Sequence, residues 1–407
     1  MLFIYNLSVR IYYNLIFISS FFNKKAKLWL IGRKNDNLLY VKRSVWFHFA
    51  SLGEFEQGRP VLEAFRAKKP ESIIVITFFS PSGYEVRKNT PLADHIYYLP
   101  LDTKKNAARF IQTINPEIAI FTKYEYWYHY FDELHKRDIP LYVISGIFRP
   151  GQVFFKWYGG LHRRMLGFVT HFFAQDEASQ TLLKTIGISS VSVSGDTRFD
   201  RVWQNASSPK KLEFVEQFKA GKPIFIGGST WPEDEVLIAQ LIPLYPEWKF
   251  IFAPHEIEEG KMARLLKLLP GDTTIRYSQI ENLDGGNAGF RILVIDNIGM
   301  LSSLYQYGDL AFIGGGFGVG IHNTLEAAAF GLPVIFGPNY ERFKEARDLV
   351  KLQLGFSIET EVQLTAIVDK MIRHSEYRTE KGMAIRTYVK EHTGATDLIM
   401  KTISNEM

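Results

Sequence analysis

From residue 44 onward the chain alternates short apolar runs with longer polar stretches compatible with helices. In a first series, Ser44–Ala50, Ile73–Phe78, Ile96–Leu99, Ile118–Thr122, Leu141–Ile144, Val169–Ala174 and Val191–Val193 read as strands. Gly58–Ala67 and Thr103–Thr113 are among the helices between them. A second series runs through Pro223–Ile226, Lys249–Ala253, Ile292–Ile295, Leu310–Ile313 and Pro333–Phe336. Its helices are expected at Trp231–Leu244, Glu258–Leu268, Met300–Tyr307 and Asn323–Phe330. Evenly apolar strands separated by helices require parallel pairing, because a parallel neighbour needs a crossover and the crossovers cover both faces. The expected fold is α/β, with two doubly wound parallel-sheet domains facing each other across a cleft. Ligands of such sheets lie outside the carboxyl ends of the strands.

The expected division is an N-terminal helix over 1–34, a first domain over 35–204, a linker over 205–222 and a second domain over 223–407. The linker is polar and carries Ser207-Ser208-Pro209-Lys210-Lys211. A length of 407 residues suits two domains. The absence of cysteine excludes a disulfide scaffold, a thiolate metal site and a cysteine nucleophile. The net charge of +5 is unevenly spread. Residues 1–44 hold eight basic groups and one acid, net +7, leaving 40 basic and 42 acidic groups, net −2, in the rest. No long basic run outside the N-terminus points to nucleic acid.

The first 22 residues, MLFIYNLSVRIYYNLIFISSFF, are rich in aromatic and aliphatic side chains, and lysines follow. After Arg10 the apolar stretch runs only twelve residues, to Phe22, short of the roughly 20 that a clean span requires. A signal peptide is disfavoured, since no basic start precedes the apolar region and no small-residue cleavage site follows it. The expected role is a helix in the membrane interface, its cations facing anionic headgroups. The plainer alternative is an amphipathic helix packed on the body.

The most informative loop runs from Phe312 to Glu326. It leaves a strand, passes Gly314, Gly315, Gly316, Gly318 and Gly320, and enters a helix around Asn323. Glycines permit positive φ and close backbone approach to a ligand. His322 and Asn323 can bond a phosphate or sugar, and Glu326 suits ribose hydroxyls or a base edge. Read structurally instead, Asn323 is a cap with Glu326 three residues later. The loop is neither a P-loop nor a dinucleotide fingerprint, because Gly314 and Gly316 would require glycine at Val319. Ser229 and Thr230 precede a helix with an early proline, as phosphate ligands or as a plain N-cap. Pro254-His255 and Ile298-Gly299-Met300 end two further strands and can reach the same nucleotide. In the first domain, Ser51-Leu52-Gly53-Glu54 follows the first strand, with Gly53 in a tight turn and Glu54 as a candidate general base. Its alternative is an acid favourably placed in a first helical turn. Glu125 follows Ile118–Thr122 and faces the same way. Arg198 either stabilises developing negative charge or pairs with a neighbouring acid.

Taken together, His48-Phe-Ala-Ser-Leu-Gly-Glu54, Gly195–Arg201, Ser229-Thr230 and Gly314–Glu326 resemble the 3-deoxy-D-manno-octulosonic acid (Kdo) transferases of lipopolysaccharide assembly. The resemblance spans nearly the whole chain. It implies the GT-B architecture of two Rossmann-like domains, attached to the cytoplasmic side of a bacterial inner membrane. It implies inverting transfer of Kdo from CMP-Kdo to a lipid A precursor, with no catalytic metal and no cofactor. Glu54 matches the family's general base, and Glu125 and Arg198 match positions that assist the transition state. Pro254-His255, Ile298–Met300 and the run Asn323, Thr324, Leu325, Glu326 match segments that hold CMP. Gly315, Gly316 and His322 belong to the same glycine-rich segment. The chain departs from the family where Pro254 meets His255 with no intervening arginine. It departs again at Lys123, usually an acid, and at Tyr128, usually proline. The rival readings are another GT-B enzyme, such as a nucleotide-sugar 2-epimerase, and a catalytically silent membrane-bound sugar-nucleotide-binding protein.

Overall fold

The first series of apolar runs builds seven strands: β1 (Ser44–Phe49), β2 (Ile74–Phe78), β3 (His95–Tyr98), β4 (Pro116–Thr122), β5 (Leu141–Gly146), β6 (His171–Ala174) and β7 (Val191–Val193). They form one parallel sheet in the order β3-β2-β1-β4-β5-β6-β7. All six residues of β1 are buried, as a strand covered on both faces must be. Alternate side chains serve opposite faces. Val45, Phe47 and Phe49 pack with Phe55, Val61 and Phe65 of the following helix, and Trp46 packs with Phe110, Phe121 and Tyr130. The computed structural model describes residues 1–34, 38–123, 125–282 and 286–406. The expected domain start at residue 35 lies outside the described residues, as does Tyr124, beside Glu125.

The second series builds β8 (Ile224–Thr230), β9 (Lys249–Pro254), β10 (Thr274–Arg276), β11 (Ile292–Val294), β12 (Leu310–Ile313), β13 (Val334–Phe336) and β14 (Gly355–Ser357). These form a second parallel sheet in the order β10-β11-β9-β8-β12-β13-β14. Phe225, Phe250, Phe252, Leu310 and Phe312 anchor its core. Strands β10 and β14, which the apolar runs do not announce, are its two edges. In each sheet the order reverses around one central strand. The chain leaves β1 toward β2 and returns on the other side as β4; likewise it leaves β8 toward β9 and returns as β12. The carboxyl ends of β1 and β4, and of β8 and β12, are therefore the two topological switch points.

The chain divides into two compact units, Met1–Arg201 with His392–Met407, and Val202–Glu391. The expected second domain, 223–407, therefore includes a segment that belongs elsewhere. The helix Ala395–Glu406 packs Ile399, Met400 and Ile403 into the Phe47–Phe55 cluster of the first unit. Asp200 fastens its start, accepting the N–H groups of Gly394 and Thr396. The expected linker holds a helix, Glu213–Lys219, whose Val215 and Phe218 are buried.

The N-terminal segment is two helices rather than one, α1 (Leu2–Ser19) and α2 (Lys24–Lys34). By length and composition α1 is able to cross a membrane, with a mean hydropathy of 1.2 over 18 residues. It is docked on the first unit. The Tyr5 hydroxyl donates to buried Asp102 at 2.5 Å, His129 Nε2 meets Asn6 Oδ1 at 2.6 Å, and Tyr12 packs on Trp29 and Phe79. Phe3, Ile4, Leu7, Ile11, Leu15 and Ile18 point outward.

Candidate functional site

The turn after β1 leads directly into α3 (Leu52–Lys68), so the helix starts six residues earlier than its apolar spacing suggests. Glu54 falls in the first turn, where a carboxylate meets the positive end of the helix dipole. The Ser51 hydroxyl approaches Glu54 Oε2 at 3.4 Å. Gly53 is exposed and keeps an ordinary φ, and a Cβ there would meet only Ser51 Oγ at 4.0 Å. The turn does not need glycine, contrary to the expectation. Burial first and the Glu125 charge second push the Glu54 carboxyl up to about 7, against the opposing effects of Lys123 and the contacts at Ala50 and Ser51. Glu54 and Glu125 are thus electrostatically coupled, as their positions after adjacent strands β1 and β4 require. Glu125 Oε2 accepts the Trp127 indole N–H at 2.9 Å and lies 3.2 Å from His48 Nε2.

Two residues at this end of the sheet adopt left-handed backbone without being glycine, Lys123 after β4 (φ +63°) and Ser145 in β5 (φ +53°). Such conformations cluster where a site dictates the backbone. Arg198 opens the helix Thr197–Ser207 and grips Asp196, with Nε at 2.8 Å and a second nitrogen at 2.7 Å from Oδ2. Burial alone would raise the Asp196 carboxyl. The Arg198 guanidinium, its hydrogen bonds and the Lys123 charge hold it below the usual range. Gln57 donates to the same carboxylate at 2.9 Å. Arg198 is therefore paired with a neighbouring acid.

In the second unit the ends of β8 and β12 meet backbone to backbone. Gly314 N–H donates to the Gly228 carbonyl at 2.9 Å, and a Cβ on Gly314 would collide with the main chain of Ser229 and Thr230. A Cβ on Gly316 would collide with Gly337. Only Gly315 (φ +91°) and Gly320 (φ +127°) of the five need positive φ, so the run serves close packing as much as conformational freedom. Ser229 is itself left-handed (φ +51°).

Ser229 and Thr230 do not cap the next helix, Pro232–Leu241; its N-cap is Trp231. Thr230 turns inward and donates to Glu235 at 3.3 Å. Asp234 Oδ2 accepts the N–H groups of Trp231 (2.8 Å) and Gly315 (2.9 Å), clipping the glycine loop to the β8 turn.

Pro254 ends β9, and His255 N–H bonds the Thr230 carbonyl at 2.9 Å. The rings of Trp231, His255 and His322 form a stack, with centroids 5.0 and 4.3 Å apart. Trp231 Nε1–H donates to His322 Nε2 at 3.0 Å, so the proton of the neutral His322 ring lies on Nδ1. Burial and then the adjacent His255 bring the His322 pKa down to about 4. The helix expected from Asn323 is shorter, Leu325–Ala329, and Thr324 occupies its N-cap position. Asn323 still bridges it, accepting the Leu325 N–H at 3.1 Å and donating to Glu326 at 3.0 Å. The Leu325 side chain is fully buried, whereas the Thr324 hydroxyl is buried with no hydrogen-bond partner among the described residues. Ile298, Gly299 and Met300 line a cavity of about 450 Å³ with Lys210, Lys211, Phe214, Tyr277 and Asn297.

Sequence reasoning missed Asp196, Trp231, Asp234 and the cavity's lysines and aromatics as site residues. Trp231 had a usable signal, its place between Thr230 and the helix-opening Pro232. Asp196 had one too, two residues before Arg198, whereas Asp234 and the cavity residues are defined by contacts across long sequence separations.

A family model described as 3-deoxy-D-manno-octulosonic-acid transferase (kdotransferase) matches residues 22–201. The 3-deoxy-D-manno-octulosonic acid transferase of Haemophilus influenzae is 27% identical, the match covering 88% of this chain and 86% of that protein. A bifunctional glycosyltransferase/methyltransferase of Fusobacterium nucleatum is 23% identical across 95% of this chain, which spans only 62% of that relative's length. Among solved structures, a putative UDP-N-acetylglucosamine 2-epimerase of Listeria monocytogenes matches with a TM-score of 0.62 at 12% identity, covering 90% of this chain and 97% of that one. That likeness concerns the fold alone, and it agrees with the GT-B-like architecture of two parallel seven-stranded sheets.

Proposed function

We propose that the chain is a member of the 3-deoxy-D-manno-octulosonic acid transferase family, to which it is similar over most of its length, and an inverting glycosyltransferase moving Kdo from CMP-Kdo to a lipid A precursor. The observation that carries the reading is Glu54. It is a carboxyl raised to about 7 by burial and by Glu125, at the switch point of the first sheet. A base poised near neutral pH combines a usable unprotonated fraction with a real affinity for the proton it must take.

Glu54 removes the proton from a sugar hydroxyl of the acceptor. The freed oxygen forms a bond to the anomeric carbon of Kdo, on the face opposite the nucleotide. The bond between that carbon and the phosphate oxygen breaks, and CMP departs with its electron pair. Glu125 and Arg198 assist as charge develops. The second unit holds the donor. The main chain at Gly315 and Gly316, with Ser229, Thr230 and the neutral His322, offers hydrogen bonds to the phosphate. Asn323 and Glu326 take the ribose, and the cavity at Ile298–Met300 takes the base, where Lys210 and Lys211 add positive charge. The first unit receives the acceptor, and α1 and α2 hold it at the anionic cytoplasmic face of the inner membrane.

The test is release of CMP from CMP-Kdo by purified protein, with and without lipid A precursor. Release that depends on the acceptor, with the sugar found on the lipid by mass spectrometry, is the expected result. No release in the presence of both substrates would sink the proposal. Glu54→Gln keeps the shape and removes the base, so turnover is expected to fall by about 10²–10⁴-fold. Wild-type turnover in that variant would remove Glu54 from the mechanism.

A further inference from the structure

One buried titratable side chain stands beside this chemistry without a part in it. His48 lies in the middle of β1 with no exposed surface, its ring 4.8 Å from that of Phe121. Its register partners on the two neighbouring strands are Thr77 of β2 and Phe121 of β4. In a parallel sheet such neighbours share a face, and Trp46, two residues earlier, shares it too. The result is a chain of hydrogen bonds across the sheet. The Trp46 indole N–H donates to Thr77 Oγ1 at 2.8 Å, Thr77 Oγ1 lies 2.7 Å from His48 Nδ1, and His48 Nε2 lies 3.2 Å from Glu125 Oε2.

The chain has a direction. An indole nitrogen only donates, so one Thr77 lone pair is taken and its single proton is available to His48 Nδ1. A neutral ring protonated on Nδ1 would aim the Nε2 lone pair at a carboxylate oxygen. The ring that satisfies both neighbours accepts from Thr77 and donates from Nε2. We propose that His48, set in this tautomer by Trp46 and Thr77, is a positioning residue that fixes the Glu125 carboxylate beside Glu54.

Two N–H groups, from His48 and Trp127, then converge on Glu125 Oε2, and the carboxylate cannot swing away from the carboxyl end of β4. Around Glu54 stand Glu125, Lys123, the Ser51 hydroxyl and the main chain at Ala50. Burial is the first cause of the raised Glu54 carboxyl, and among these neighbours Glu125 is the group that adds to it, so its placement tunes how strong a base Glu54 is. This role for His48 rests on the proposed part of Glu54.

The experiment uses the full chain in detergent, with CMP-Kdo and a lipid A precursor, and follows kcat, donor KM and the pH profile. Thr77→Val is nearly isosteric and removes the hydroxyl that sets the tautomer; His48→Phe removes the donor to Glu125. Both are expected to lower kcat about tenfold or more, the scale of a hydrogen bond to a charged group. Both are expected to move the acid limb of the profile to lower pH while leaving donor KM unchanged. Thr77→Ser and His48→Gln, which keep a hydroxyl and a donor, are expected to restore the wild-type limb. If His48→Phe does not fold, Thr77→Val decides. A folded Thr77→Val or His48→Phe protein with the wild-type kcat and limb overturns the proposal. If Glu54→Gln is inactive in the same assay, that result removes only the role of His48; if Glu54→Gln is active, the base assignment itself falls.

Discussion

Glu54 illustrates how one side chain carries opposed demands. Its carboxyl is raised to about 7, first by burial and then by Glu125, so the unprotonated, proton-accepting form accumulates only as pH climbs through that value. The pH profile of kcat/KM is expected to rise to a plateau with an acid limb near 7. The same shift acts on stability with the opposite sign. A carboxyl whose folded pKa exceeds its unfolded value favours folding below the unfolded value, and that contribution is lost as pH rises through the folded value. Glu54→Gln is therefore expected to gain melting temperature relative to the parent above neutral pH and to gain nothing in acid; equal melting curves at both ends of the range would contradict it. At this scale the sequence was informative about position but not about partners. Glu54, Glu125 and Arg198 could be picked out as polar residues following apolar strands. Nothing local tied His48 to Glu125 across 77 residues, because that contact exists only after the strand register is set, whereas Asp196 stands only two residues before Arg198.

At the scale of elements, the glycine loop shows two different uses of one residue type. Gly314 and Gly316 sit against other backbone, whereas a Cβ on Gly318 would meet only the Gly315 carbonyl at an ordinary 3.8 Å. Gly314→Ala is expected to lower melting temperature and weaken donor binding, read by calorimetry with CMP, while Gly318→Ala leaves both near the parent. Equal effects would show that the loop needs flexibility rather than close contact.

The helix α1 makes a second case. Its inward side chains hold it to the first unit, and its outward ones are apolar. Replacing Leu7, Ile11 and Leu15 by serine is expected to reduce sedimentation with anionic vesicles, since each apolar side chain inserted is worth about 1.5–3 kcal/mol. Melting temperature should hold, because none of the three is buried.

Most strands were readable as apolar runs. The exceptions, β10 and β14, are three-residue edges with a single fully buried residue each, too short and too polar to stand out from a loop. The position of the α3 start was hidden for a related reason: its first turn carries the polar Gly53 and Glu54 in place of an apolar signal.

At the scale of the whole molecule, alternation of strand and helix predicted two sheets of the right kind. It said nothing about where the last helix goes. The helix Ala395–Glu406 has an amphipathic pattern that would suit either sheet, and the choice is made by shape and by the Asp200 clamp on Gly394 and Thr396. Ile403 is fully buried among first-unit residues. Ile403→Ala is expected to destabilise the first unit by about 2–5 kcal/mol. Hydrogen exchange should quicken in β1 and α3, more than 300 residues away in sequence, and not in β8 or β12. Faster exchange confined to the second sheet would contradict the division drawn here.

That returning helix also gives the second unit the character of an insertion, entered at residue 202 and left at residue 391. Domains commonly fold in the order in which they are synthesised. Here the earlier unit lacks its closing piece until all of Val202–Glu391 has been translated. Until then the apolar surface that Ile399, Met400 and Ile403 will cover, beside Phe55, remains open to water or to a chaperone. The outward stripe of α1, by contrast, is translated before either sheet. On the membrane role proposed for α1, the nascent chain reaches a lipid surface while its first domain is still unfinished, and the inserted domain matures with the chain already held there.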